Sequence, residues 1–137
     1  MKSKILGYQS LNTDFASLLL RLIFGGLFIY HGYTKLIAFD DILKIWQSVI
    51  GLSPKLELCL VIFAEFFCGI LVTLGLFTRL AVIPIFITMI VVFFVAQKKD
   101  AFPVKELSFT FLLLSIVIYV LGSGKFSLDR LIFKRSI

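Results

Sequence analysis

Residues 15–36, FASLLLRLIFGGLFIYHGYTKL, form a stretch long enough to cross a bilayer, yet it carries three ionisable side chains, Arg21, His31 and Lys35. A spanning helix needs about 20 mostly apolar residues, and an ionisable group at hydrocarbon depth costs roughly 2.5–3.5 kcal/mol on insertion scales. Three in one span require partners, a reach to the interface, or a wet cavity, so one side of this helix must face protein. Helical spacing picks that side. Arg21, Gly25, Phe28, Gly32 and Lys35 follow one another at steps of four and three residues and share one stripe. Gly25 and Gly32 thin the stripe so that a neighbouring helix can approach closely, which is how membrane helices gain contact where lipid offers no hydrophobic drive.

The whole chain has the same character. It is 60% hydrophobic and 16% charged, with mean hydropathy +1.06, whereas a soluble domain is about 45–50% apolar and about 25% charged. Its 137 residues suit one membrane domain, residues 1–137, with no room for a separate soluble one. Further spans are predicted at about residues 56–77, 80–96 and 107–121. The fold class is therefore all-α, a polytopic antiparallel bundle of four transmembrane helices. Between the first two spans, residues 39–50 mix charge with apolar residues and read as a short interfacial helix with Trp46 at headgroup level; a plain extramembrane loop is the alternative. Thr78-Arg79 leaves so little chain between the second and third spans that they must form a tight hairpin. Pro84 is expected in the first turn or so of the third helix. Gly122-Ser123-Gly124 stops the fourth, and the basic, partly apolar tail after it is expected along the membrane surface.

Four spans put both termini on one face. Lys2, Lys4, Arg79, Lys125, Arg130, Lys134 and Arg135 fall on that face, and Lys35, Lys44, Lys55, Lys98, Lys99 and Lys105 on the other. The small excess places the termini in the cytoplasm. The lead into the first span lacks a compact apolar core followed by a small-residue cleavage site, so that span is expected to be a retained anchor. The net charge of +6 sits at helix ends and tails, where it serves anionic lipid and not nucleic acid.

Glu65, near the middle of the second span, matches the depth between Arg21 and His31. An ionised carboxylate there needs a cation or several donors. The expectation is a buried cluster of Glu65 with His31 or Arg21, with Lys35 and Glu57 or Glu106 at its outer rim. Either these charges only neutralise one another and fix the register of two helices, or they line a pocket. In a pocket His31 and Glu65 would be the catalytic pair, relaying protons to a quinone-like head group or binding a small solute. Arg21, Gly32, Lys35, Cys68 and Tyr119 are the other lining candidates, while Gly69 and Gly75 suit close helix packing. Cys59 and Cys68 lie about 13 Å apart on one helix, beyond disulfide reach; they read as apolar filler or as thiols facing quinone or a partner. One His and two separated Cys provide no metal-ligand set, and there is no phosphate loop or nucleophile elbow. No intrinsic cofactor is expected, so the electron carrier of any redox reaction is a partner or dissolved quinone.

The run Arg21–Leu36, RLIFGGLFIYHGYTKL, resembles the first-helix signature of the DoxX family, an arginine and a glycine followed by HG before KL. Glu65, Gly69, Leu71 and then Leu74-Gly75-Leu76-Phe77-Thr78-Arg79 resemble its second signature, ending in G-x-x-T-R. Glu106, with Gly122-Ser123-Gly124-Lys125-Phe126-Ser127-Leu128-Asp129, resembles its closing motif. The resemblance implies a four-helix protein of the bacterial inner membrane, with Arg21, His31, Lys35, Glu65, Arg79, Glu106 and Asp129 as signature positions and Gly25, Gly69 and Gly75 in structural roles. Some relatives are membrane subunits of quinone-linked oxidoreductases, including the thiosulfate:quinone type, or partners in membrane thiol and oxidative-stress complexes. Any catalytic half would then be a separate polypeptide, soluble or membrane-bound, and a second copy of the chain is a further candidate partner. The leading reading is a subunit that passes electrons or protons between a partner and quinone. A non-enzymatic scaffold or assembly factor, and a carrier of a small hydrophobic molecule, are the alternatives.

Overall fold

In the computed structural model, which describes residues 3–134, the Asn12 side-chain oxygen accepts the Phe15 N–H at 3.0 Å and starts the first long helix. This cap satisfies one of the donors that every helix start leaves open. The order of elements is α1 (Ser3–Leu6), α2 (Thr13–Ile37), α3 (Phe39–Ile45), α4 (Pro54–Leu74), α5 (Thr78–Ala96), α6 (Phe102–Leu121) and α7 (Leu128–Phe133). Among the described residues four helices, α2, α4, α5 and α6, are long and apolar enough to span a membrane, and no strand occurs. The chain is an all-α, four-span membrane bundle. The face holding the α4–α5 turn and residues 122–134 is the termini side; residues 38–53 and 97–101 form the loop side. Lys2 and Arg135, counted in the charge balance, lie outside the described residues.

Boundaries moved for local reasons. α6 begins at Phe102, about five residues before the expected start, because Pro103 occupies its first turn, where a missing N–H is harmless. α5 begins at Thr78, so Pro84 falls in its second turn and not its first. α4 ends at Gly75, whose φ of 72° closes the helix in the left-handed region that a glycine adopts freely. The hairpin to α5 then needs only Leu76 and Phe77. α3 is shorter than predicted and stops at Ile45, after which residues 46–53 fold back as a loop.

The predicted stripe of α2 is the packing face. Arg21, Gly25, Phe28 and Gly32 are buried there, with Lys35 half-buried at its end. A methyl added to Gly25 would sit 2.9 Å from the Gly69 carbonyl, and one added to Gly32 would sit 2.5 Å from the Phe66 nitrogen, so α2 and α4 approach at backbone distance. Phe24, Phe28 and Phe111 meet with ring centroids 4.7–5.9 Å apart and form the centre of the core with Val72, Val82, Ile85 and Ile118. Tilted and edge-on aromatic pairs of this kind add about 0.5–1.5 kcal/mol beyond their area.

Candidate functional site: a cavity on the loop side

The bundle is closed on one side and open on the other. The second half of α4 packs tightly on α2 and α5, and α5 on α6, whereas Pro54–Ile62 packs on α2 and α3 and has at most marginal contact with the loop-side ends of α5 and α6. The splayed ends enclose a cavity of about 520 Å³, within the usual range of small-molecule sites, about 300–1,000 Å³. Phe28, Met89 and Phe111, all buried, form its floor. Two π-helical turns, Phe63–Phe67 in α4 and Val92–Ala96 in α5, border it, the first contributing Glu65 and the second Val92 and Ala96. Such turns loosen the helical ladder and are frequent at functional sites.

A single ion pair lies in this apolar chamber. Lys35 Nζ is 2.7 Å from Glu65 Oε2, with side chains 25% and 8% exposed. Both residues line the cavity, and the Lys35 side chain is the more exposed of the two. His31, one turn earlier on α2, lines the same space, its ring edge-on to Phe111 at 6.3 Å. The predicted cluster is therefore corrected in its partner: Glu65 pairs with Lys35, and neither His31 nor Arg21 is bonded to it.

The loop-side wall depends on Glu57. This carboxylate, 4% exposed, accepts hydrogen bonds from Trp46 Nε1 (3.2 Å), Ser48 Oγ (2.8 Å) and the backbone N–H groups of Val49, Ile50 and Leu52 (2.9–3.2 Å). One residue thus holds the whole 46–53 loop, and Trp46, Val49 and Ile50 of that loop line the cavity. Trp46, the tryptophan of that region, is clasped to Glu57 and forms part of the cavity wall. Sequence reasoning put Glu57 on the rim and missed this role. The available signal was an acid in the first turn of a span, directly after the turn-forming Gly51-Leu52-Ser53-Pro54.

The DoxX family model matches residues 16–98, the first three spans and every polar group just described. The chain belongs to the DoxX family. It is also 31% identical over 122 residues, 88% of this chain and 90% of the relative, to the Bacillus subtilis (strain 168) protein named "Putative oxidoreductase CatD". No solved structure matches it.

Several of the polar residues singled out in the sequence lie away from the cavity, on the termini side. Arg21, 1% exposed, donates to the carbonyls of Val72, Thr73 and Phe126, capping the end of α4 and tying it to the chain after α6. Asp129 does the complementary work at the start of α5, accepting the N–H groups of Phe77 (2.7 Å) and Thr78 (3.3 Å) while its own N–H donates to the Gly75 carbonyl. Arg79 Nε donates to the Tyr119 carbonyl at 3.0 Å and so closes the end of α6. Of the other lining candidates, Gly32 backs onto Phe66, Cys68 is buried in the core, and Tyr119 is half exposed near the termini side. Glu106 is exposed at the start of α6 and does not line the cavity. Gly25 and Gly69 hold the α2–α4 contact, and Gly75 leaves space that Arg21 and Ser127 fill.

Proposed function

We propose that this DoxX protein is the membrane subunit of a quinone-linked oxidoreductase of the bacterial inner membrane, with both termini in the cytoplasm and the cavity receiving the quinone head group. The observation that carries the reading is the Lys35–Glu65 pair placed inside a mostly apolar chamber beside His31. A quinone becomes a hydroquinone by taking two electrons and two protons. The electrons come from a separate reduced redox protein docked at the membrane. The protons come from the cavity: Lys35 donates a hydrogen bond to one quinone oxygen, and His31 and the Lys35–Glu65 pair pass protons to the developing hydroxyl groups. The CatD relative, whose name describes an oxidoreductase, supports this class of chemistry.

The protein purified with its native partners tests it. Glu65→Gln and His31→Ala variants are expected to insert and fold while losing quinone-dependent turnover. Trp46, the only tryptophan, lines the cavity, so wild-type emission is expected to be quenched saturably by a short-chain quinone. Normal turnover in both variants, or quenching that only rises linearly with quinone partitioning into the membrane, overturns the assignment. A second reading, a non-enzymatic scaffold, is favoured by the use of Arg21, Arg79 and Asp129 in capping; it is selected if turnover persists while the same partner still co-purifies.

A further inference from the structure

The walls of the cavity are unequal. On the aqueous loop side it is bordered by two polar clasps: Glu57 with its five donors across residues 46–52, and Gln97 Oε1 accepting Ser108 Oγ at 2.7 Å, which ties the end of α5 to α6. Between them, where Pro54–Ile62 diverges from α5 and α6, no such bond exists among the described residues. The lining there is Leu60 on α4, Ile87 on α5 and Val104 and Leu107 on α6, and all four are exposed on the bundle surface, at 47–63%. In a bilayer those surfaces face acyl chains. The mouth of the cavity is thus apolar and lateral, and the polar groups Lys35, His31 and Glu65 lie inward of it.

We propose that the cavity is filled from the bilayer through the gap between the second and third spans, and that its ligand is an amphipath. A hydrogen-bonding head lodges beside Lys35, and a hydrocarbon tail lies out past Leu60 and Ile87 into the leaflet on the loop side. The identity of the head rests on the quinone reading; the lateral route rests on the mouth alone. A water-soluble ligand would have to part the Glu57 clasp, breaking several charge-assisted hydrogen bonds at once. An amphipath from the membrane breaks none. The tail also adds apolar contact at the mouth, so a tailed ligand binds more tightly than its bare head.

The experiment uses the full chain in nanodiscs. A benzoquinone bearing a decyl tail and the same ring without it are titrated calorimetrically into wild type and into Leu60→Trp and Ile87→Trp variants, which narrow the mouth from either side. The tailed compound is expected to bind wild type at least tenfold more tightly than the bare ring, and to lose that advantage in both variants while the bare ring is unaffected. Equal affinity of the two compounds for wild type, or equal losses in the variants, overturns the lateral route. Native mass spectrometry of protein prepared from its own membranes keeps the two proposals apart. A retained lipid-soluble molecule of any head group that both variants shed supports the route, and if it is a phospholipid it removes the quinone reading alone. A molecule that both variants keep overturns the route.

Discussion

Replacing Gly32 by alanine puts the α2–α4 seam under a load that can be worked out. The added methyl would lie 2.5, 2.6 and 2.7 Å from the nitrogen, Cβ and Cα of Phe66, where ordinary contact begins near 3.4 Å. Two of those atoms are backbone within a helical turn, so they cannot swing aside, and the helices must part by about 1 Å. Overpacking of this kind costs about 1–3 kcal/mol, from which alanine recovers up to about 1 kcal/mol of helix propensity. Contacts as short as these put the cost in the upper part of that range, about 2–3 kcal/mol, so the net loss is about 1–2 kcal/mol, which for a chain of this size lowers the thermal midpoint by roughly 3–10 °C. Gly26 is the internal control. It is a glycine of the same helix, less than two turns earlier, with nothing within 4 Å of its added methyl, so Gly26→Ala should hold or gain a few degrees. A fluorogenic maleimide on a Cys59→Ser background reads unfolding through Cys68, which is buried in the folded state. If Gly32→Ala melts with the wild type, or Gly26→Ala falls as far, the backbone contact is not what seats these helices.

Three further outcomes are expected. Glu57→Ala frees the 46–53 loop from its common acceptor, so Trp46 emission should move to longer wavelength and protease should cut within the loop; unchanged emission would contradict the clasp. Arg21→Lys removes the planar fork that reaches carbonyls on two chain segments, which should lower stability by about 2 kcal/mol, as expected for hydrogen bonds made by a charged group. Its quinone quenching should be unaltered, because Arg21 lies at the opposite end of the bundle from the cavity. Asp129→Ala uncaps the start of α5 and should lower stability by about 0.5–2 kcal/mol, measured by the same thermal assay.

The four spans, the packing stripe of α2 and the tight hairpin were legible because each rests on local periodicity and punctuation: apolar length, steps of four and three, Gly75 and Gly122. The polar partners were not. The sequence offers His31 or Arg21 as the partner of Glu65 because the depth of Glu65 falls between theirs, but depth along a helix axis leaves rotation and reach open. Arg21 finds three carbonyls at helix ends that no residue pattern announces, since backbone acceptors are contributed by every residue alike. Lys35, expected on the rim, is the partner, its ammonium 2.7 Å from the Glu65 carboxylate. Glu57 was hidden for the same reason as Arg21: three of its five donors are backbone N–H groups of an irregular loop.

The Lys35–Glu65 pair itself decides whether the cavity is functional or only a packing defect with a charge neutralised in it. Replacing both members of a buried pair by apolar residues of similar size is often neutral or stabilising by about 1–4 kcal/mol, while removing one partner is strongly destabilising. If the pair serves only the fold, the double variant Lys35→Met with Glu65→Leu should melt near or above wild type and leave saturable quenching by quinone unchanged. If it serves a ligand, the double variant should melt at or above wild type and lose saturable quenching by quinone. The single Lys35→Met should be the least stable of the set, because it leaves the Glu65 carboxyl, 8% exposed, buried without its partner, whereas Glu65→Gln leaves a lysine that is 25% exposed and can turn toward the cavity mouth. A double variant that is stable and still binds quinone as wild type does would refute the role given to the pair.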